Sequence, residues 1–268
     1  MSTWRFLDSG ADDGATNMAV DAVLLSGVEA GTAPPTIRVY AWRPPAVSIG
    51  HAQDAGRELD LVECARRGYD VVVRPTGGRA VLHAGELTYS VAGRAGQAPL
   101  GCSIAQTYEA VSVALLAGLA ELGVAAELAA VSPEDARSRT EPSPPCFVSA
   151  GRFEIVVRGR KLVGSAQRRS GDSVLQHGSL LLDGSHVGLA EIVRVASEDQ
   201  RAALRAALEQ RTIDLSTVLG RPLSFDEVAS ALRKGFASRW EIDLVPGGLS
   251  ERESKAVTTV ATEYHALS

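Results

Sequence analysis

Short apolar segments recur through the first hundred residues of the chain. Over residues 37–42 every second position is Ile, Val or Ala, a period that predicts a half-buried β-strand. Two helices are expected nearby, one that begins at an Asn17 cap and ends at Gly31, and one over residues 58–67. Further short strands are predicted at 46–50, 70–74 and 87–91.

The middle of the chain combines one long helix with three strands. Ser103 and Gln106 form a capping-box pattern ahead of an alanine- and leucine-rich helix over residues 108–122. The strands are predicted at 153–157, 162–167 and 174–182. The first two form a hairpin that turns at Arg158-Gly159.

From Gly188 onward the pattern becomes helical. A Pro-Gly-Gly break at 246–248 separates two helices with capping boxes, which are Ser224 with Glu227 and Ser250 with Glu253. The whole pattern predicts an α+β fold. A mixed β-sheet body flanked by helices would occupy residues 1–215, and a small helical extension residues 216–268.

The composition is that of a globular protein and argues against a nucleic-acid-binding or membrane-spanning one. The 268 residues are 45% hydrophobic and 22% charged, which is ordinary for a globular chain with a sizeable core. A net charge of −5 gives no basic footprint for nucleic acid. No apolar run approaches the ~18 residues of a membrane span, and no signal-peptide pattern opens the chain. We therefore expect a cytoplasmic protein that binds neither nucleic acid nor membrane.

Residues 74–83, Arg-Pro-Thr-Gly-Gly-Arg-Ala-Val-Leu-His, follow a predicted strand. The glycine pair Gly77-Gly78 would let the backbone approach a ligand closely. Arg74 and Arg79 could bind a phosphate or carboxylate through paired hydrogen bonds. A tight glycine turn with two surface arginines explains the segment equally well. It matches neither nucleotide-binding glycine motif, so it does not by itself indicate a nucleotide.

Cys146 lies in a Pro-Pro-Cys-Phe segment, which disfavours regular secondary structure. Lys161, on the following hairpin, is expected close to it, where an ammonium group would favour the thiolate and stabilise an oxyanion. A small buried cysteine and a solvated lysine are the alternatives. Cys64 and Cys102 are expected to be small core residues. No Cys-x-x-Cys pair exists and the histidines lack metal-ligand spacing, so no metal is expected.

Two further segments are candidates for a binding surface. The small residues Gly164-Ser165-Ala166 leave room for a ligand to lie against their strand. In the segment Gln176-His177-Gly178-Ser179, the imidazole could act as a general base. We favour the interpretation of His177 as a pocket-wall residue.

Together these segments resemble the lipoate-ligase and biotin-ligase superfamily. Within it they are most similar to the octanoyl-carrier-protein:protein octanoyltransferases of the lipoate-ligase-like branch. The resemblance covers nearly the whole chain, and the joint order of its segments is more specific than any one of them. The matching segments are 4–8, 17–21, 74–83, 86–90, 146–147, 159–168, 176–179, 219–221 and 234–236.

The resemblance implies the biotin/lipoate protein ligase catalytic fold and an acyl transfer without a cofactor. The cysteine matched by Cys146 takes an octanoyl group from octanoyl-acyl carrier protein, and a lysine of a lipoyl domain, such as glycine-cleavage H protein, receives it. The lysine matched by Lys161 lowers the cysteine pKa and helps position the acyl carbonyl. Arginines within 137–169 are expected to dock the acidic carrier protein. The residues implied to line the acyl tunnel are Thr76, Gly77, Gly78, Arg79, Gly164, Ser165 and Ala166, with His83, Gln176, His177, Gly178 and Ser179 near its mouth.

Three positions depart from the family pattern. Ala84 stands where an aspartate often follows the histidine, Arg79 where ATP-dependent lipoate ligases carry a third glycine, and Pro75 where an arginine is common. The last two changes point away from adenylate chemistry. The alternatives left open are an amidotransferase that moves octanoyl or lipoyl groups between lipoyl domains, an ATP-dependent lipoate–protein ligase, and a non-catalytic acyl-binding or carrier-docking module.

Overall fold

A computed structural model describes residues 1–129 and 153–265. Cys146 and its proline-rich neighbours lie outside the described residues. The strands are β1 Thr3–Asp12, β2 Thr36–Trp42, β3 Ala46–Gly50, β4 Asp70–Arg74, β5 Val81–His83, β6 Glu86–Arg94, β7 Glu127–Leu128, β8 Ile155–Val157, β9 Arg160–Ser170, β10 Ser173–Leu181 and β11 Asp243–Pro246. The helices are α1 Gly14–Glu29, α2 Ala55–Glu58, α3 Leu61–Arg66, α4 Ile104–Glu121, α5 Leu189–Ile192, α6 Glu198–Arg211, α7 Leu215–Leu219, α8 Phe225–Trp240 and α9 Glu251–His265, with a 3₁₀ turn at Gly184–Gly188.

The strands form two sheets. The larger has the order β11-β1-β2-β6-β10-β9-β8-β7, and the smaller has the order β4-β3-β5. In the larger sheet β1 runs parallel to both β11 and β2, and the other neighbours are antiparallel. In the smaller sheet β3 is parallel to β4 and antiparallel to β5. The predicted mixed sheet with flanking helices is confirmed.

Helices cover the larger sheet in pairs. Helix α4 packs against α8, and α1 packs against α9. The first pair approaches closely because both helices carry glycine at the crossing, where a Cβ on Gly235 would lie 2.1 Å from the Gly118 amide nitrogen. Apolar side chains of α4, α8 and the strands fill the main core around Leu115, Tyr89 and Phe236. Across the described residues, no helix is both long and apolar enough to cross a membrane.

Several predicted elements match the structure. The strands at 46–50 and 70–74 have the expected bounds, and the hairpin turns at Arg158-Gly159, where both residues have positive φ. The reciprocal capping box of Ser103 and Gln106 is present. Ser250 and Glu253 also cap one another.

Other expectations were wrong for identifiable reasons. Helix α1 begins at Gly14, because Asp13 rather than Asn17 accepts the capping hydrogen bond from the Thr16 amide. Asn17 is instead buried inside the helix, where its side-chain amide donates to two backbone carbonyls. The single helix over 58–67 is two short helices, α2 and α3. Cys102 is exposed, unlike the buried Cys64.

Strand β11 was not predicted in the C-terminal region. It adds an edge strand beside β1, and α8 completes the main core, so the residues after 215 pack directly on the preceding ones. The capping box predicted for Ser224 and Glu227 is only half formed. Ser224 caps α8, but the Glu227 carboxylate pairs with Arg221 instead of the Ser224 amide. The division of the chain at residue 215 stays a prediction.

Candidate active site

A cavity lies between the two sheets. Its floor is a row of four residues that face one another across β2, β6, β10 and β9, namely Tyr40, Thr88, Ser179 and Gly164. Three inter-strand spacings of roughly 4.8 Å make this row about 14 Å long. The smaller sheet contributes the opposite wall through Ser48, Arg74, Val81 and His83. The cavity encloses about 670 Å³, counting its open mouth.

The β9 end of the cavity holds an ion pair. Lys161 Nζ donates to Glu154 Oε1 at 2.5 Å, and the lysine side chain is only 7% exposed. Burying an unpaired ammonium would be costly, and the Glu154 carboxylate supplies the partner that offsets this cost. Glu154 was not predicted as a site residue. Its signal was an acidic residue at the start of the strand that pairs with the lysine strand, since Val156 on β8 lies opposite Lys161.

The β2 end of the cavity is aromatic. The Trp42 indole stacks on His83 with ring centroids 4.1 Å apart and donates from Nε1 to Thr88 Oγ1 at 2.7 Å. His83 is fixed on both sides, because Nε2 bonds Ser48 Oγ and Nδ1 bonds Glu86 Oε1, each at 2.7 Å. The Trp42–His83 pair also borders a second cavity, whose further lining includes Leu223 and Phe225. The pair is therefore a wall between two spaces.

A buried carboxylate fixes His177 in the cavity wall. Asp21 Oδ2 lies 3.1 Å from His177 Nδ1, and His177 Nε2 lies 2.6 Å from Thr76 Oγ1. Burial lowers the pKa of His177 because it disfavours the imidazolium, although Asp21 opposes this. A neutral ring then donates from Nδ1 to the carboxylate and accepts the Thr76 hydroxyl at Nε2. This bond ties the loop between β4 and β5, residues 75–80 and hereafter the glycine loop, to β10.

Asp21 belongs to a wider polar cluster beneath the cavity. Burial alone would raise the pKa of this carboxyl, but the hydrogen bond with His177 and the nearby Arg38 guanidinium bring it below its usual value. Arg38 Nη1 donates to Asp21 at 2.9 Å, and both side chains are almost fully buried. Tyr40 and Ser90 also donate to the carboxylate, at 3.1 and 2.8 Å. Neither Asp21 nor Arg38 was predicted as a site residue.

The glycine loop is held by its own arginine. The Arg74 guanidinium donates to the carbonyls of Ser48, Gly77 and Arg79 at 2.7–3.1 Å. Arg74 therefore shapes the loop as well as lining the cavity. Thr76 reaches the site through His177, whereas Gly77, Gly78 and Arg79 are absent from the described residues that line the cavity.

The remaining predicted residues divide between the two faces of β9 and β10. The cavity lining includes Gly164, Ser165, Ala166, His177, Gly178 and Ser179. Gln176 instead donates to the hydroxyl of Tyr89 at 3.3 Å, on the core side of the sheet. Strand alternation explains this, because neighbouring side chains point to opposite faces. Tyr89 also bonds Ser165 Oγ at 2.6 Å, and burial raises the pKa of its phenol to about 12.

The described residues next to the segment that carries Cys146 lie beside the ion pair. The Ala129 amide donates to the carbonyl of Glu154 at 2.7 Å. Cys146 precedes Phe153 by seven residues in the sequence and lies outside the described residues. Within residues 1–129 and 153–265, no cluster of three or more metal-ligating side chains is present.

The chain is similar to known proteins along nearly its whole length. Residues 13–237 match the family model of the lipoyl protein ligase A/B catalytic domain. The chain is 40% identical over 267 residues to octanoyltransferase LipM of Kyrpidia tusciae, which covers 99% of this chain and 97% of the relative. It is 42% identical over 267 residues to octanoyltransferase LipM of Symbiobacterium thermophilum, with 98% and 96% covered. A crystal structure of lipoate-protein ligase A bound with ATP shares the fold, with a TM-score of 0.79 at 23% identity over 98% of this chain and 95% of that one.

Proposed function

Because the chain belongs to the lipoyl protein ligase A/B catalytic domain family, we propose that it is an octanoyltransferase that acts in protein lipoylation. It moves an octanoyl group from octanoyl-acyl carrier protein to a lysine of a lipoyl domain, such as that of glycine-cleavage H protein. The observation that carries this proposal is the end-to-end similarity to two octanoyltransferases, at 40% and 42% identity.

In the first half-reaction the Cys146 thiolate attacks the thioester carbonyl of the carrier-bound octanoyl group. The carbon–sulfur bond to the carrier breaks, the carrier thiol leaves, and an octanoyl thioester forms on Cys146. Passing the acyl group through a thiol divides one difficult transfer into two easier steps. The reaction needs no ATP, because the donor thioester is already activated.

Lys161 is suited to support this step. Its ammonium is paired with Glu154 and lines the cavity, so it can favour the thiolate and the oxyanion that follows attack. Glu154 also limits how far the lysine can move. We therefore assign Glu154 as a positioning residue that acts through Lys161.

The floor of the cavity suits an eight-carbon chain. An octanoyl group extended over seven carbon–carbon bonds reaches roughly 9 Å, estimated from the advance per bond of an extended polypeptide. The floor row is about 14 Å long between β9 and β2. With its carbonyl near Lys161, the acyl chain would run across β10 and β6 and end against the indole of Trp42.

In the second half-reaction the lysine amine of the lipoyl domain, having lost a proton to solvent, attacks the Cys146 thioester. The carbon–nitrogen bond forms, the carbon–sulfur bond breaks, and the Cys146 thiolate is regenerated. The amine nitrogen loses a second proton as the amide forms. Arg158 and Arg168 are exposed on the hairpin that carries Lys161, and we assign them to docking of the acidic carrier protein.

Reconstituted transfer tests the proposal. Purified protein, octanoyl-acyl carrier protein and an apo lipoyl domain are mixed without ATP, and octanoylation of the domain is followed by mass spectrometry. The wild type is expected to modify the domain, Cys146→Ser to lose that activity, and Cys102→Ser, a change of the exposed thiol elsewhere in the chain, to keep it.

Three other outcomes would overturn the proposal. Transfer only from an octanoylated H protein would identify an amidotransferase. Transfer only with ATP and free octanoate, and insensitive to Cys146→Ser, would identify a ligase. Reversible binding of the carrier without any transfer would leave an acyl-binding module.

A further inference from the structure

Ser179 carries a buried hydroxyl that has no partner among the described residues. The residue is 4% exposed, and its Oγ makes no hydrogen bond to any of the residues that the structure describes. Leaving a buried polar group unsatisfied costs about 1–3 kcal/mol in folding, so such a group in a native protein calls for an explanation. Ser179 lines the cavity, which makes a ligand atom the natural partner.

The other hydroxyls of the cavity differ from it. Every other serine or threonine among the described lining residues bonds a neighbouring side chain at 2.5–2.7 Å and thereby holds the wall together. The pairs are Ser48 with His83, Thr88 with Glu86, and Ser165 with Tyr89. Among these lining hydroxyls Ser179 alone is left to face the cavity contents.

The sheet register shows which part of a ligand Ser179 would meet. It lies directly opposite Gly164 on β9 and Thr88 on β6. Gly164 has no side chain, so the space above it is open at the end of the cavity that also holds Lys161. One inter-strand spacing of roughly 4.8 Å separates the β9 and β10 backbones, so an acyl carbonyl above Gly164 comes within reach of the Ser179 hydroxyl.

We propose that the Ser179 hydroxyl is a catalytic hydrogen-bond donor to the acyl carbonyl oxygen, and this inference rests on the proposed octanoyl transfer. When the thiolate or amine adds to the carbonyl carbon, the carbonyl π electrons move onto oxygen. Ser179 Oγ–H donates to that oxyanion beside the Lys161 ammonium. As the intermediate collapses, the electrons return and the carbon–sulfur bond breaks, so Ser179 itself is unchanged.

Both half-reactions pass through such an oxyanion, so Ser179→Ala should slow both. Loss of one side-chain donor of this kind typically lowers kcat about 100-fold or more. Because the charge develops only in the transition state, KM for octanoyl-acyl carrier protein should stay within about twofold. S179T keeps a hydroxyl and should recover most of the rate.

Ser173→Ala is the matched control. Ser173 lies on the same strand and also has a buried hydroxyl with no partner among the described residues, but it does not line the cavity. Single-turnover measurements would follow acyl-enzyme formation and then transfer to the lipoyl domain, with thermal melting to confirm that each variant is folded. S173A should match the wild type.

The inference is overturned if S179A reacts as fast as S173A, if it raises only KM, or if S179T is as slow as S179A. A wild-type protein that forms no acyl-enzyme would refute the proposed function itself. That failure is visible before any variant is compared.

Discussion

Replacing Trp42 with alanine should lengthen the acyl chain that the protein accepts. Trp42 and His83 separate the cavity from the space lined by Leu223 and Phe225, and removal of the indole joins the two. An acyl chain four carbons longer than octanoyl could then bury its additional methylene groups in the second space. The tunnel would change in length while the Lys161 end stays intact.

The size of this effect follows from the apolar surface that the longer chain buries. Each buried methylene contributes about 0.8 kcal/mol, so four contribute about 3 kcal/mol. Because about 1.4 kcal/mol corresponds to a tenfold change in affinity, the preference for dodecanoyl over octanoyl should rise by up to about 200-fold. The variant also loses the bond from the indole to Thr88 and creates a cavity, at a cost of about 3–5 kcal/mol in folding.

A competition assay measures the shift. Equal amounts of octanoyl- and dodecanoyl-acyl carrier protein are offered to folded Trp42→Ala protein, and the two acyl-enzyme masses are quantified. Phe225→Ala is the control, because it enlarges the second space behind an intact wall and should leave the wild-type preference unchanged. An unaltered dodecanoyl-to-octanoyl ratio in folded Trp42→Ala would refute the proposed direction of the acyl chain.

Three predictions concern stability. Asp21→Asn leaves the buried Arg38 cation uncompensated and should cost about 3–5 kcal/mol in urea unfolding, and a loss below 1 kcal/mol would contradict the assigned ion pair. Burial lowers the pKa of His177 and His186 below 6.5, so the unfolded chain binds more protons and stability should fall as pH drops below 6.5. The slope is at most about 1.4 kcal/mol per pH unit for each histidine, and a melting temperature that stays level between pH 7.5 and 5.5 would contradict this. Gly50→Ala would place a Cβ 2.3 Å from a carbonyl oxygen of the glycine loop and should lower the melting temperature and the transfer rate together.

Local patterns in the sequence predicted much of the fold. The capping box at Ser103, the turn at Arg158-Gly159 and the short apolar strands each depend on residues close together in the chain, and the structure has them. The start of α1 was misplaced because Asn17 is as good a cap as Asp13 by residue type. Its contacts with the Ala41 carbonyl and the Arg38 guanidinium, both distant in sequence, show that Asn17 is needed inside the fold.

The candidate site was harder to predict, since its polar contacts join distant segments. The bond between His177 and Asp21 spans 156 positions, and that between Thr76 and His177 spans 101. Glu154 and Glu86 were not predicted as site residues, because a lone carboxylate is usually solvated. Several lining residues of β9 and β10 were predicted from the sequence. Gln176 was wrongly placed with them, although alternation along the strand turns its side chain toward the core.

Transfer through Cys146 can be tested by locating the acyl group after a single turnover. The protein is mixed with octanoyl-acyl carrier protein in the absence of ATP and acceptor, then quenched in acid, digested and mapped by mass spectrometry. We expect one octanoyl group per chain, bound as a thioester to Cys146. An octanoyl group on any other residue, or an unmodified protein that still transfers octanoyl to a lipoyl domain, would contradict it.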